Sequence, residues 1–361
     1  MIDGNFVIDS VAHAYNFTPA NRRHPELSQA LGDMCYDGLH VGFQPPGESQ
    51  WLLPKDRFFN ALAPEFLAHA LFAESQTDLA IYHSIPLYGL YVDGVSPLWV
   101  GEAMQNLYPG RVLLFGGISP WQDGALEEVD RLIEDVGVVG LKLYPEDIID
   151  GKARPWRLDD PEIAFPLIER ARQKGIRSIA IHKAMPLGPV PIEPFLPRDV
   201  EGAAIAFPDV TFEIVHGGFA FLEETATQVA RFKNVAINLE GCSAFLTRAP
   251  RKFAEIVGTF LANGARDRLI WATGAMLYHP RPYIERFWSF QMPRDLVDDY
   301  GFPELTDADK RAILGGNQLR LLRLNLEDIR RSTQDDVFSR KTRLAEPWTG
   351  RYAPATAESW A

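Results

Sequence analysis

Eight short runs rich in Val, Ile and Leu recur along the chain, and amphipathic, charge-bearing stretches lie between most of them. The runs fall at 6–12, 78–83, 111–116, 138–143, 177–182, 211–216, 235–239 and 268–273. Short continuous apolar runs suit strands buried on both faces. The stretches at 123–136, 160–175, 221–232 and 250–264 suit the helices that would cover them. Eight such units predict a closed parallel (β/α)8 TIM barrel rather than an open doubly wound sheet. No Gly-x-Gly-x-x-Gly follows the first run, and 361 residues is the length of one barrel with insertions.

The barrel is expected to fill residues 1–325 as one domain. Residues 14–77 interrupt the regular spacing as a long insertion after the first strand, with Pro45-Pro46-Gly47 as a turn and Asp56 to Glu74 helical. Residues 275–302 follow the last strand and carry several aromatics. Both leave from the catalytic rim, so both are expected to form lid and pocket walls. Residues 326–361, charged and then rich in Pro and Trp, read as a C-terminal arm on the barrel or on a partner subunit.

Composition removes several functions. A formal net charge of −12 without a basic stripe argues against nucleic acid. Cys35 and Cys242 are too few for a disulfide framework or a thiolate zinc site. No run of 18 apolar residues marks a membrane span, and the N-terminus runs straight into a strand without a signal peptide, so a cytoplasmic enzyme is expected. Its partners are then a small-molecule substrate and further copies of itself, in a homo-oligomer.

Candidate chemistry sits where the strands end. Side chains from separate strands converge at the carboxyl rim of a barrel. The fifth run ends on His182 and the sixth on His216, followed by Gly217-Gly218; His13 lies just beyond the first run. Adjacent strands lie about 4.8 Å apart, so two such imidazoles can share a metal, or one can ligate while the other moves protons. Strict alternation would turn Asp9, Val11, His13 and Tyr15 the same way, with Asp9 deeper in the barrel. Lys142 ends the fourth run; buried there, its ammonium needs a carboxylate, a substrate anion or a carbamate. Glu240 ends the seventh run as an acid/base group, a metal ligand or a partner for Lys142. His83 after the second run and His279 after the eighth complete the ring as candidate substrate contacts. Tyr278, with Trp51, Phe58, Phe59, Tyr82 and Tyr283, fits a ring-bearing or apolar ligand and equally fits ordinary packing. Asn317 reads as a structural turn and helix cap.

The run Gly140-Leu141-Lys142-Leu143-Tyr144-Pro145, the strand-end His182, the strand-end His216-Gly217-Gly218 and the terminal Gly315-Gly316-Asn317-Gln318-Leu319-Arg320-Leu321-Leu322 occur in order. Together they resemble the amidohydrolase-related (amidohydrolase 2) branch of the amidohydrolase superfamily. The resemblance implies a (β/α)8 barrel and a divalent metal, zinc or manganese. It casts His13 and His182 as metal ligands and His216 as the acid/base histidine. Two positions depart from the pattern. Val11 and Tyr15 flank His13 where a second first-strand ligand belongs, and Gly274 stands where the eighth strand should end in aspartate. His13 and His182 alone, both neutral, would hold a divalent ion weakly unless Glu240 or His279 completed the set. The resemblance implies a hydrolase acting on a small carboxylated or cyclic substrate, aromatic ones included. The alternatives are a non-oxidative decarboxylase or hydratase of the same family, and a non-catalytic binding relative.

Overall fold

Each of the eight apolar runs forms a parallel strand in a computed structural model, which describes residues 1–60, 62–186, 190–340 and 343–352. The strands are Ile8–Ala12, Leu79–His83, Val112–Ile118, Gly140–Leu143, Ser178–His182, Thr211–Val215, Val235–Asn238 and Leu269–Ile270. They pair in chain order as one sheet. Ser10 N donates to Trp271 O at 3.1 Å and Gly274 N to Val11 O at 3.0 Å, which joins the eighth strand region to the first and closes the TIM barrel. Among the described residues, no helix is long and apolar enough to cross a membrane.

Two clusters of apolar side chains show which way each strand faces. The larger packs the barrel against its helices and includes Leu141, Leu143, Ile179, Ile181, Phe212, Ile214, Ile237 and Leu239. A smaller one, built from Ile8, Leu79, Ile81, Phe115, Ala180 and Val215, fills the barrel itself. Because alternate residues face opposite ways, His83, Lys142, His182, Glu213, Asn238 and Glu240 point inward with the second cluster. The first strand departs from strict alternation. Its pairing with the second shifts register between Asp9 and Ala12, so Asp9 and His13 do not share a face.

Asp9 instead fastens the barrel seam. Its Oδ1 accepts from Thr273 N at 2.9 Å and Val11 N at 3.4 Å, while Oδ2 accepts from the Thr273 hydroxyl. Burial raises this carboxyl to about 7, against the lowering effect of the Thr273 bonds.

The segment expected as one helix from Asp56 to Glu74 is two, Lys55–Phe59 and Pro64–Phe72. Pro64 opens the second because a proline tolerates the first helical turn and not the middle. An antiparallel hairpin, Glu146–Ile149 with Lys152–Pro155, separates the fourth and fifth strands. Asp150 and Gly151 turn it, both at positive φ (50° and 73°), the conformation that favours Asp-Gly in tight hairpins. Asn317 opens a helical turn and donates to Leu269 O at 2.8 Å, tying that turn to the eighth strand. Of the arm expected over 326–361, residues 341–342 and 353–361 lie outside the described residues, and the described part is fastened to the barrel domain at two points. Arg111 Nη2 donates to Asp336 at 2.9 Å, and the buried Trp348 donates from Nε1 to Trp51 O at 2.8 Å.

Candidate active site

At the carboxyl rim, side chains from five strand ends and both interrupting segments surround a small, partly open cavity. His13, Tyr144, His182, His216 and Glu240 line it from the barrel; Tyr15, Leu31, Cys35, Leu39 and Leu277 line it from residues 14–77 and from the segment after the eighth strand. Its volume is ≈ 20 Å³, about the room one water occupies. His40 holds the two covering segments together. Its Nδ1 donates to Leu277 O at 2.6 Å and its Nε2 accepts from Leu53 N at 2.8 Å.

His216 reaches the cavity by breaking the alternation of its strand. Glu213 and Val215 point inward, so His216 would point out, but its φ of 62° ends the strand and turns the ring over the mouth. A non-glycine residue in this region costs about 1–2 kcal/mol and persists where the surroundings enforce it. The enforcing contacts are two hydrogen bonds. Nδ1 lies 2.7 Å from Glu240 Oε2, and Nε2 lies 3.0 Å from His182 Nδ1. His182 Nε2 in turn lies 2.7 Å from Met185 O.

These contacts fix the protons. The Met185 carbonyl only accepts, so His182 Nε2 carries a hydrogen and its Nδ1 is the acceptor. His216 Nε2 must therefore donate to His182. Nδ1 of His216 faces two acceptors, the Glu240 carboxylate and the Glu240 carbonyl at 3.2 Å, so it too carries a hydrogen. The arrangement is a hydrogen-bonded chain that runs from the Glu240 carboxylate through His216 and His182 and ends on a backbone oxygen. Burial pushes Glu240 up, but the His216 charge and hydrogen bond, with His13 and Lys142, outweigh it and hold the carboxyl below its ordinary range. Burial lowers His182 well below the usual imidazole value, helped by the charges of His216 and Lys142.

Glu240 occupies space that Gly274 leaves open. A Cβ at residue 274 would lie 2.4 Å from Glu240 Oε1, and Gly274 sits at φ 68°. The carboxylate from the seventh strand thus fills the position beside the eighth-strand glycine.

Lys142 is buried inside the barrel, and among the described residues no group accepts a hydrogen bond from Nζ. Its nearest aromatic face is Tyr144, with Nζ 5.2 Å from the ring centroid. Burial lowers the ammonium to about 8, against the pull of Glu240 and Glu213. His13 presents Nε2 to the cavity, since Nδ1 lies 2.9 Å from His83 O. Burial lowers His13 to about 4, opposed by Glu240.

Four expected contacts lie outside the cavity lining, Lys142 and three rings. His83 stacks on Phe115 at 4.6 Å, and neither ring nitrogen has a partner among the described residues. His279 Nε2 pairs with the buried Glu74 at 2.9 Å, between Trp51 and Trp348. Tyr278 packs against Phe43 and Tyr283. Tyr144, unremarked as a site residue in the sequence, stacks on His182 at 4.5 Å. Its signal was available: it stands two residues beyond the inward-facing Lys142.

The donors do not fit a catalytic divalent metal, which takes three protein ligands. His182 and His216 spend both nitrogens on protein partners, and Glu240 Oε2 is bound to His216. That leaves His13 Nε2 and Glu240 Oε1. No group of three His, Cys, Asp or Glu among the described residues can hold a metal ion.

A family model described as Amidohydrolase matches residues 95–324. No curated protein matches the chain. The structure is similar to an uncharacterized TIM-barrel protein from Bordetella bronchiseptica (18% identity, 88% of this chain and 98% of that one, TM-score 0.60). It is also similar to a 2,6-dihydroxybenzoate decarboxylase from Rhizobium (14% identity, 88% and 99%, TM-score 0.54). A third similar structure is a 5-carboxyvanillate decarboxylase from Novosphingobium aromaticivorans complexed with manganese and 4-hydroxy-3-methoxy-5-nitrobenzoic acid (13% identity, 89% and 97%, TM-score 0.54). At these identities the likeness establishes the barrel.

Proposed function

The chain belongs to the amidohydrolase family, and from that premise we propose that it is a carboxy-lyase releasing carbon dioxide from a small ring-bearing acid by proton transfer. The observation that carries this reading is the directed chain Glu240–His216–His182–Met185 O beside a small, largely apolar cavity. In such a reaction the bond between ring carbon and carboxylate breaks, carbon dioxide leaves, and the electron pair left behind takes a proton. The His216–Glu240 couple holds that proton, which would reach the cavity through Glu240 Oε1, the oxygen not bonded to His216, and water restores it after each turnover. Lys142 supplies positive charge within the barrel, behind the cavity lining, and Tyr144 and the apolar wall give the cavity an aromatic and apolar face. Two of the structures described above are decarboxylases of aromatic acids, which supports the same substrate class.

Manganese accompanies one of those decarboxylases. In this chain His182 would have to give up Met185 O or His216 to take part in any such site, so the proton chain and a metal compete for its nitrogens.

A hydrolytic reading has one observation in its favour, the room for a single water beside His13 and Glu240. Incubation of the purified protein with a panel of hydroxylated benzoates in D2O separates the two. Carboxy-lyase action releases carbon dioxide and places one deuterium on the ring carbon. Turnover of amides or lactones with no carbon dioxide from any acid would reject the decarboxylase reading. Metal analysis of the same sample, and turnover after chelation, test the donor argument independently.

A further inference from the structure

The catalytic cavity, at ≈ 20 Å³, has room for about one water, so a ring-bearing acid enters only when the cover over it lifts. The centre of that cover is a wide helical turn, Met34–Val41. Cys35 and Leu39 on this turn line the cavity, while His40 meets the C-terminal arm, its ring 6.4 Å from that of Trp348. Trp348 is 1% exposed. Its ring stacks on Phe66 at 6.0 Å and meets His279 edge-on at 4.9 Å, and its indole N–H bonds the Trp51 carbonyl. The buried Glu74 carboxylate accepts from the backbone N–H groups of Trp348 and Thr349, and Ala345 N donates to Ala73 O at 3.0 Å. Through His40, Trp51 and His279 the arm bears on both segments that cover the cavity.

The seat is held against strain. Trp348, Thr349, Gly350 and Arg351 follow one another at φ 51°, 54°, 66° and 61°. All but Gly350 carry side chains, and the β-branched Thr349 suits that region least. The Thr349 hydroxyl is also buried with no partner among the described residues. Such a backbone persists only while its contacts hold it, and strain of this kind gathers in clamps and switches. Gly350 and Arg351 are exposed, so the seat has a free edge from which to peel.

We propose that the segment from Ala345 to Arg351 is a releasable strap: seated on Glu74, Phe66 and Trp51 it holds the cover down, and its release lets the Met34–Val41 turn lift from the cavity. The inference rests on the reading of that cavity as the place of reaction, but its test reads the cover alone. A looser strap speeds entry and exit of a ligand alike, so its signature is exposure of the cover rather than a change in KM. Local opening of this kind is drawn from the least stable parts of a fold, which a strained terminal segment supplies.

The test is labelling of the full chain with N-ethylmaleimide, scored at Cys35 and Cys242 separately by peptide mass spectrometry. Both thiols are free and buried. Cys35 lies on the cover, whereas Cys242 sits below the His216 turn, with Sγ donating to Gly217 O at 3.3 Å. Trp348→Ala should speed labelling of Cys35 about 10-fold or more and leave Cys242 unchanged. Trp348→Phe, which keeps a ring and loses the indole N–H, should fall between that variant and the wild type. Thr349→Gly, which removes strain and keeps the N–H that Glu74 accepts from, should slow Cys35 below the wild-type rate. If Trp348→Ala does not fold, the two milder variants decide. Equal Cys35 rates in the wild type and the Trp348 variants, equal acceleration of both cysteines, or an unchanged or faster Cys35 rate in Thr349→Gly overturns the strap. The reaction is scored separately: the expected labelling with no carbon dioxide from any acid rejects the lyase reading and leaves the strap standing. Carbon dioxide release together with any of the overturning results rejects the strap and leaves the lyase reading standing.

Discussion

Replacing Gly274 with alanine tests whether the glycine exists to admit the Glu240 carboxylate. The added Cβ would stand 2.4 Å from Glu240 Oε1, 3.1 Å from Cδ and 3.2 Å from Cγ. Two costs follow. The backbone at φ 68° is strained for any residue with a side chain, by about 1 kcal/mol. Forcing a methyl into a filled space adds about 1–3 kcal/mol. Gly274→Ala should therefore lose about 2–4 kcal/mol in urea unfolding. Because the clash falls on the end of a side chain, part of it will be relieved by Glu240 swinging away from His216 Nδ1. Turnover should then fall about as far as in Glu240→Gln, where loss of the acid/base partner costs about 10²–10⁴-fold. The double variant separates the two costs. With Glu240→Ala in place, Gly274→Ala should cost only the backbone part, about 1 kcal/mol, a coupling of about 1–3 kcal/mol between adjacent sites. If Gly274→Ala costs the same with and without the glutamate, the steric argument is wrong, and Glu240 is not filling the glycine's space.

Three further outcomes follow from the buried charges. Asp9 has an ordinary value of 3.8 and about 7 in the fold, so the native state holds a proton that the unfolded chain has released. Stability should therefore fall as pH rises through that window, by at most about 4 kcal/mol at 1.36 kcal/mol per pH unit. Asp9→Asn, measured by urea unfolding at pH 5 and pH 8, should gain on the wild type at the higher pH, and a gain that is flat or reversed with pH refutes the account. Lys142 moves from 10.5 to about 8, a penalty fully present below pH 8 that disappears between pH 8 and 10.5. At pH 7 Lys142→Met should match or exceed wild-type stability, by up to about 3 kcal/mol, while losing affinity for acid substrates; a destabilised variant would mean that Lys142 has a partner. Glu74→Gln, which weakens the contact to His279 and to the backbone at Trp348 and Thr349, should lower Tm by the equivalent of about 1–3 kcal/mol with KM unchanged. A raised KM would return His279 to the substrate site.

What the chain discloses about this site depends on whether the informative group is a side chain on a regular strand. Lys142, His182 and Glu240 stand at the inward positions that strand alternation assigns to them, so their convergence is written in the spacing of Leu, Ile and Val around them. His216 is not placed by the same rule; alternation would turn it outward, and only the left-handed strand end brings it to the cavity. Asp9 fails the rule for another reason, since the register shift before Ala12 separates it from His13 and commits it to the seam with Thr273. The Asp150-Gly151 turn carried a local signal for the hairpin, but nothing local says that Trp348, at the far end of the chain, seats on Glu74. The deepest gap concerns the acceptor at the end of the proton chain. Every residue except the last offers the same backbone carbonyl, so the sequence letter at 185 is silent about it. Yet it is the Met185 carbonyl that fixes the His182 tautomer, makes His216 a donor on both nitrogens, and sets Glu240 as the carboxylate that balances it.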